Sequence, residues 1–274
     1  MEKYIPIFVK ENTLKFYTEN NSNKSELVSK RFPELKTLEI NKVSTFILEL
    51  ADGSNSIKDI SEKIIESYNN VPYEKINDDI LNFLETCYRL DLIKWKDNNP
   101  FLKKYINNDN GLTCEILSPV QASNILNEIR KEKGVYESIS FKKNLYESNE
   151  IVEKRSFYYQ SCYCVIKYND RNILFYEIEL KTLKQQSFNV NIYYIDSMDN
   201  IDIKNIKELI GWAIKEYSKI IKHNVNRVDC NTIEKYKEII DFIEKIGFKK
   251  IGTLKKHISI DEIIYDIQVY SHDI

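Results

Sequence analysis

Asn226–Ser271, NRVDCNTIEKYKEIIDFIEKIGFKKIGTLKKHISIDEIIYDIQVYS, is the most informative segment of the chain. Its pattern predicts a strand, a helix, a turn built on Gly247 and Phe248, and then two further strands. Glycine after the last helical residue is a common way to end a helix. The segment therefore predicts the closing part of a domain that mixes helices with a sheet.

The motifs in this segment are the helix ending EK-x-GF, the following GTL and the final pair of strands. In that order they resemble the C-terminal half of the GNAT family of N-acetyltransferases. The resemblance implies acyl transfer from coenzyme A, with acetyl-CoA or another acyl-CoA as the cofactor of an active member.

The preceding sequence extends this resemblance to about residues 112–272. A strand from Leu112 leads to Ser118-Pro119 and a helix, as in family members that acetylate protein N-termini. Residues 156–168 and 172–183 are predicted to form the next two antiparallel strands. VNIYYID, residues 190–196, resembles the fourth strand of the family. We therefore expect a GNAT-like domain at 112–274, with a mixed, mostly antiparallel sheet.

Composition sets limits on the function. A chain of 274 residues is long enough for two modest domains, and 42% hydrophobic and 30% charged residues are ordinary for a globular protein. A net charge of −2 and a pI near 6.1 favour neither nucleic acid nor acidic membranes as partners. No apolar run approaches the length of a membrane span, so we expect a cytoplasmic protein.

The cysteines and histidines do not form a recognisable metal site. The five cysteines show no C-x-x-C spacing, which fits reduced thiols better than a disulfide framework. Cys162 and Cys164 share one face of a predicted strand, as small core residues or as a reactive pair. The three histidines are scattered, and we predict no metal.

Residues 96–112, KDNNPFLKKYINNDNGL, are polar and asparagine-rich, and we place a linker at 97–111. Before it, three short strands, three helices and a terminal strand are predicted, which together describe a small winged-helix unit. The first helix starts at Lys42, Ser56 caps the second, and the third follows Pro72. The whole chain is thus expected to be α+β, with domains at 1–96 and 112–274.

The first unit contains L-x-x-N entering helix one, ADG ending it, SIKDI opening helix two and LDLI closing the unit. These motifs resemble the PqqD-like family, whose members are RiPP recognition elements that bind leader peptides of ribosomally made, modified peptides. In that family the leader adds as a strand beside the third strand and packs on the third helix. The resemblance implies a peptide site at the following residues: Lys36, Leu38, Ile40, Asn82, Phe83, Thr86 and Arg89. Apolar residues such as Leu38, Ile40 and Phe83 are, however, more often plain core residues.

DNA binding is the usual alternative for a winged helix. A recognition helix must neutralise phosphates and normally presents lysine and arginine. The third helix and the strand after it carry five acidic against three basic residues between Tyr73 and Trp95. Peptide capture through a strand edge is therefore favoured over DNA binding.

The GNAT resemblance includes a phosphate-binding loop of the type [Q/R]-x-x-G-x-[G/A], which this chain lacks. The equivalent stretch, SMDNIDIKN at residues 197–205, contains neither glycine nor arginine. Asp199 and Asp202 fall where phosphates would bind, and a carboxylate at a helix N-terminus uses the same backbone donors. Cofactor contacts would then come from Tyr194, Ile195, Asp196 and Lys204.

The second coenzyme A signature of the family and its catalytic groups are also replaced. Tyr236 and Ile239 stand where members often have Asn and then Ser or Ala, and Ile243 stands where many have a tyrosine acid. The fourth strand offers no glutamate base, which leaves Asp196, Glu177 and Glu179 as candidates. Two glutamates at alternate positions, such as Glu177 and Glu179, are also typical of a solvated strand face.

Two main functions remain from the sequence. One is a GNAT-type acyltransferase that modifies a precursor peptide delivered by its own leader-binding domain. The other is a non-catalytic relative without a cofactor, which binds the leader peptide or a peptide-modifying maturase as a scaffold. The predicted split between the fourth and fifth strands, with parts of 191–196 and 227–230 as its walls, would be the ligand site in either case.

Overall fold

The computed structural model describes residues 3–18, 24–34, 37–68, 72–107, 110–132, 149–180, 187–198 and 201–273. The chain divides into two compact units, Met1–Phe101 and Leu102–Ile274. No helix in these described ranges is both long and apolar enough to cross a membrane.

The described residues of the first unit form five strands and three α-helices in the order expected of the predicted winged helix, with one extra strand at the start. Strands β2, β3 and β4 form an antiparallel sheet, and β1 pairs antiparallel with β5. The elements are β1 (Pro6–Phe8), β2 (Thr13–Thr18), β3 (Lys24–Ser29), β4 (Thr37–Asn41), α1 (Lys42–Leu50), α2 (Ile57–Ser67), α3 (Tyr73–Arg89) and β5 (Ile93–Trp95).

Local sequence explains where these helices start. Asn41 Oδ1 accepts a hydrogen bond of 2.8 Å from Ser44 N and caps α1. Ser56 and Asp59 form a capping box at the start of α2, in which each side chain accepts from the backbone N–H of the other. The predicted cap at Ser56 is therefore present.

The second unit is built on one eight-stranded sheet. Its strand order is β12-β13-β11-β10-β9-β8-β7-β6, and all neighbours are antiparallel except the parallel pair β10 and β11. The elements are β6 (Lys103–Asn107), β7 (Leu112–Ile116), α4 (Pro119–Glu132), α5 (Asn149–Phe157), β8 (Ser161–Tyr168), β9 (Arg171–Glu179), β10 (Ser187–Ile195), α6 (Ile203–Ile221), β11 (Arg227–Ile233), α7 (Lys237–Lys245), β12 (Lys249–Ile260) and β13 (Ile263–Asp273). The predicted fold class, a winged helix followed by a mixed, mostly antiparallel sheet with helices, is confirmed.

Two apolar layers hold the helices to this sheet. On one face, residues of α6 and α7 such as Ile206, Tyr217 and Phe242 pack on inward side chains of the strands. On the other face, Leu126 of α4 and Val152 of α5 belong to a second cluster with side chains of β8, β9 and β10. The central strands are therefore buried on both sides.

The structure corrects two boundaries. The predicted linker at 97–111 contains strand β6, which pairs with β7 at the sheet edge. The polar composition of this segment does not predict its packing against α6. The Tyr105 ring lies 5.8 Å from the Trp212 ring, and its hydroxyl donates to Glu208 at 2.9 Å. The strand expected from residue 156 begins at Ser161 instead, because 149–157 form the helix α5.

The β12–β13 hairpin closes through Asp261 and Glu262, whose φ angles are +49° and +67°. Two positive φ angles mark a turn that favours glycine, because a Cβ atom is strained there. We expect Glu262→Gly to raise the free energy of unfolding by about 0.5 kcal/mol. Ser259→Gly in the adjoining strand should lower it by about the same amount. Urea unfolding measures both, and a destabilised Glu262→Gly variant would contradict the turn.

Candidate functional site

Strand β4 forms one edge of the first unit's three-stranded sheet. Among the described residues it pairs only with β3, from Lys24↔Asn41 to Val28↔Thr37. Leu38 and Ile40 are only 8% and 3% exposed, while the alternate residues Thr37, Glu39 and Asn41 face solvent. Leu38 and Ile40 are therefore core residues, and β4 offers a peptide its backbone edge rather than these two side chains.

Helix α3 places the other predicted peptide-binding residues on a partly exposed flank. Asn82 is exposed, whereas Phe83, Thr86 and Arg89 are half-buried, and Thr86 Oγ1 donates to the Asn82 carbonyl at 3.0 Å. The core stripe of α3 is a different set: Ile76, Ile80, Leu84 and Cys87. Lys36, which the sequence also assigns to the peptide site, lies outside the described residues.

The solvent side of α3 is acidic. Glu74, Asp78 and Asp79 are exposed, with Lys75 as their basic neighbour. Exposed carboxylates would repel the phosphates of a nucleic acid, so the geometry gives DNA binding no support.

In the second unit, β10 and β11 separate after a short parallel ladder. Among the residues that the structure describes, three pairs join them, from Ser187↔Arg227 to Asn189↔Asp229. Beyond these pairs β10 continues to Ile195 and β11 to Ile233, so a split opens between them. The split starts at Val190 and Cys230. Its β11 wall is therefore 230–233, whereas the sequence predicts parts of 227–230 for this wall.

Two cofactor-binding candidates, Tyr194 and Ile195, lie on the β10 wall of this split. Tyr194 is 5% exposed and Ile195 is half-buried. The register of β10 against β9 shifts between Ile192 and Tyr194, so Tyr193 sits in a β-bulge. The structure thus brings Tyr194 and Ile195 to the split without showing what they bind.

The N-terminus of α6 follows this split and is capped by the protein itself. Asp202 is the N-cap residue, and its Oδ1 accepts the Lys204 N–H at 2.9 Å. Lys204, a candidate for cofactor contact, is exposed at this position. Because the carboxylate uses the donor that a phosphate would need, this helix N-terminus does not fit a diphosphate. Asp199, the other expected carboxylate, lies outside the described residues.

Asp196, the candidate base at the end of β10, is held by two neighbours. Its Oδ1 accepts from Ser197 N at 2.8 Å, and its Oδ2 lies 3.7 Å from Arg171 Nε. Arg171 also donates to the Ser197 carbonyl at 3.2 Å. These contacts position the segment after β10 and occupy the carboxylate.

Glu177 and Glu179 do not form a solvated face; they lie in a buried polar cluster. Glu177 is 0% exposed, and its Oε2 accepts from Asn191 Nδ2 at 2.9 Å and from the Tyr193 hydroxyl at 2.8 Å. Ser161 Oγ donates to the other oxygen of Glu177. The alternate positions of Glu177 and Glu179 in β9 do not reveal this burial, because helix α5 covers this face of the sheet.

Arg155 of α5 supplies the positive charge of the Glu177 cluster. Its guanidinium lies 3.1 Å from Glu177 Oε1 and also pairs with Glu179. Burial lowers the pKa of Arg155, but Glu177 and its neighbours outweigh this and hold the pKa above its ordinary value. Burial, helped by the Glu177 charge, raises the pKa of Tyr163 and Tyr193 well above ordinary values. Both phenols therefore stay protonated at neutral pH.

The cysteines are buried and reduced. Cys162 Sγ and Cys164 Sγ lie 3.7 Å apart within the sheet, as two free thiols. Burial raises the pKa of Cys114 and of Cys230 to about 12, which keeps these two thiols protonated and unreactive. Within the described ranges, no three His, Cys, Asp or Glu residues are grouped to hold a metal ion.

Sequence reasoning missed Arg155 and the two polar residues of β10 that complete this face. Arg155 was missed because its helix was not recognised. Asn189 and Asn191 did carry a signal, since they alternate with apolar residues in SFNVNIYYI of β10. Asn189 Nδ2 donates to Asn191 Oδ1 at 3.3 Å, which extends the cluster toward the split.

The residues that match a known family cover β4, the three helices and the start of β5. Residues 32–93 match the PqqD family model. Its full description is coenzyme PQQ synthesis protein D (PqqD). The resemblance of the first unit to PqqD-like proteins is thereby confirmed for this segment, which covers less than half of the chain.

Acetyltransferases are among the solved structures that match. An acetyl transferase from Salmonella typhimurium that modifies the N-terminal serine of the 50S ribosomal subunit protein L7/L12 is 11% identical, covers 63% of this chain and 99% of its own, and has a TM-score of 0.48. The ribosomal-protein-S5-alanine acetyltransferase from Vibrio fischeri is 15% identical, with coverages of 62% and 96% and a TM-score of 0.45. A ribosomal L7/L12 α-N-protein acetyltransferase in complex with coenzyme A is 9% identical, with coverages of 63% and 98% and a TM-score of 0.46.

All three likenesses have TM-scores below 0.5. At 9–15% identity they carry nothing about substrate or catalysis. No curated protein shows a significant match to this chain.

Proposed function

We propose that this chain is a peptide-binding component of the maturation of ribosomally made, modified peptides. It binds the leader segment of a precursor peptide as a strand added to the edge of β4. The observation that carries this proposal is the open edge of β4 within the segment that matches PqqD. A strand edge binds an extended peptide through main-chain hydrogen bonds, while neighbouring side chains select its sequence.

The flank of α3 supplies that selection. Phe83 is the aromatic side chain of the flank, and aromatic anchors dominate the affinity of many interfaces. Asn82, Thr86 and Arg89 surround it with hydrogen-bonding groups, and Lys36 precedes β4 in the sequence. A peptide-modifying maturase would then receive the bound precursor.

Truncation of Phe83 tests this site. Peptides selected on the intact chain from a random 16-residue display library should slow amide hydrogen exchange at 37–41. We expect Phe83→Ala to weaken binding of these peptides at least tenfold, because truncation of an aromatic anchor costs about 2 kcal/mol or more. Fluorescence anisotropy measures the affinity.

The matched control is Tyr68→Ala, which truncates an exposed aromatic residue at the end of α2. It should leave the affinity unchanged within about twofold. Equal effects of the two truncations, or peptides that protect no amide of β4, would refute the proposal.

A second candidate function is acyl transfer in the second unit, and the split between β10 and β11 is the observation that favours it. The carboxylates near the split are engaged by Arg155, Arg171 and the α6 N-terminus, so no free base is seen among the described residues. Calorimetric titration with acetyl-CoA or longer acyl-CoA tests it. Saturable binding with transfer to a peptide would support acyl transfer, and no binding at millimolar cofactor would refute it.

A further inference from the structure

The β12–β13 hairpin extends beyond the strand that supports it. β13 pairs with β11 from Ile267 to Asp273, whereas residues 263–265 pair only with β12 among the described residues. β12 is the last strand of the sheet, so its outer edge is open. A two-stranded ribbon is only marginally stable by itself in water, and a partner that packs on it would stabilise it.

Exposed apolar side chains are concentrated on this hairpin. Four of the eight large hydrophobic residues that are exposed in the described chain belong to it. Ile251 and Leu254 of β12 are 59% and 46% exposed, and Ile263 and Ile264 of β13 are 56% and 60% exposed. Single exposed apolar residues are common, but a concentration of them marks an interaction surface.

The same strand is strongly basic. Residues 249–256 of β12, called the basic edge below, contain four lysines and no carboxylate, in a chain whose net charge is −2. All four side chains are exposed, at the positions Lys249, Lys250, Lys255 and Lys256. None of them forms a salt bridge with a carboxylate in the described part of the chain. Their positive charge is therefore available to a partner.

Lysines on an edge strand have a simpler role, because they discourage pairing with other strands. The register shifts of β12 between Lys250 and Gly252, and between Leu254 and Ile258, have the same effect. This role does not account for the exposed side chains of Ile251 and Leu254, since apolar groups on an edge promote association. Pairing with the β12 of a second copy is disfavoured, because it would bring the four lysines of each copy together.

An acidic polypeptide fits the basic edge better than a nucleic acid does. β12 contains no arginine, phenylalanine, tyrosine or tryptophan, the side chains on which bases usually stack. Carboxylates complement the lysines, and apolar side chains complement Ile251 and Leu254. The main chain of an extended segment can also bond to the open backbone edge.

We propose that the basic edge of β12 binds an acidic, extended segment of a partner protein, in which apolar side chains lie between the carboxylates. This interaction goes beyond the binding of a leader peptide at β4 and does not depend on it. At roughly 3.3 Å per residue, the basic edge offers about 26 Å of strand, enough for a segment of about six to eight residues.

Peptide selection and hydrogen exchange on the intact chain test this proposal. Random 16-residue peptides are selected by display and sorted by the amides that they protect. We expect one class, with a net charge of about −3 or lower, to slow exchange at least tenfold in 249–256. Its affinity, measured by fluorescence anisotropy, should fall as NaCl is raised from about 50 to 300 mM. A 12-nucleotide oligouridine and a 12-base-pair DNA duplex should show no saturable binding at 150 mM NaCl.

Neutralising the basic edge should weaken this class of peptides at least tenfold, because four ion pairs are lost. The variant is Lys249→Gln/Lys250→Gln/Lys255→Gln/Lys256→Gln. The matched control has the same net charge and replaces four exposed lysines of α2 and α6, as Lys58→Gln/Lys63→Gln/Lys215→Gln/Lys219→Gln. Its affinity should stay within about threefold of that of the original chain.

Leu254→Ser tests the apolar part of the edge. It should weaken the acidic peptides at least threefold, because the peptide then buries less apolar surface. Ile106→Ser is the control, at a 55% exposed residue of β6 on the opposite edge of the sheet. It should leave the affinity unchanged within about twofold.

The other outcomes overturn the proposal. Equal losses in the two lysine variants would mean that overall charge, and not the basic edge, attracts the peptides. Protection of 249–256 by the oligonucleotides alone would identify a nucleic-acid site, and protection on raising the chain from about 1 to 100 µM without peptide would identify a contact between copies. If no peptide protects β12, the lysines serve only to block strand pairing. Protection of 37–41 tests the leader-binding proposal separately in each case.

Discussion

Replacing Arg155 with methionine should lower the free energy of unfolding by about 3–5 kcal/mol, measured by urea denaturation at pH 7. Methionine keeps much of the side-chain volume but removes the charge that balances Glu177 and Glu179. Glu177 is 0% exposed, and an uncompensated buried carboxylate is costly in free energy.

Two variants control for other effects of this substitution. Arg155→Lys keeps the charge but cannot bond both glutamates with a planar fork, so its loss should be intermediate. Arg227→Met removes an arginine whose side chain is 52% exposed and pairs with Asp229 on the same strand. It should change stability by no more than about 0.5 kcal/mol. A loss below about 1 kcal/mol in Arg155→Met would mean that Glu177 and Glu179 do not depend on this guanidinium.

The second large effect is that of the Asp202 charge on the affinity for coenzyme A at the start of α6. The intact chain should show no saturable heat with coenzyme A up to about 1 mM, because Asp202 holds both the charge and the donor at the start of α6. Asp202→Asn keeps a good helix cap and removes only the charge. A unit charge about 6 Å from a phosphate, at an effective dielectric constant near 20, opposes binding by roughly 3 kcal/mol. Asp202→Asn should therefore strengthen coenzyme A binding by up to about 100-fold.

Asp202→Gly tests the backbone donor in addition to the charge. Like Asp202→Asn it removes the negative charge, but it also frees the Lys204 N–H. It should bind coenzyme A at least as tightly as Asp202→Asn, with binding that weakens as salt is added. Asp273→Asn is the control. Asp273 is exposed and lies opposite Arg227, the first residue of β11. Tight coenzyme A binding by the unmodified chain would contradict this account of the helix terminus.

Much of the fold follows from local sequence signals. The caps at Ser56 and Asp202, the glycine turn at Gly247 and the apolar periodicity of α3 each act within a few residues, so sequence alone reveals them. Strand β6 depends instead on Tyr105 packing against α6, a contact across more than 100 positions of the chain. Its asparagine-rich surroundings gave no local sign of that contact.

The candidate site was less predictable for the same reason. The missing glycines after β10 are local, and they correctly suggested that the protein caps α6 itself. Whether Glu177 is buried or exposed depends on which helix covers its face of the sheet. The alternation of residues in β9 does not indicate whether this face meets solvent or Arg155 of α5. The point at which β10 and β11 separate depends on the length of their parallel ladder, which no pattern in either strand specifies.

The pairing of β1 with β5 brings the beginning and the end of the first unit side by side, with Pro6 opposite Trp95. A unit whose two ends meet on adjacent strands can be joined to another protein without rearranging its core. The β1–β5 ribbon thus fastens both ends of the first unit to each other, which is the geometry that grafting the unit onto another protein requires.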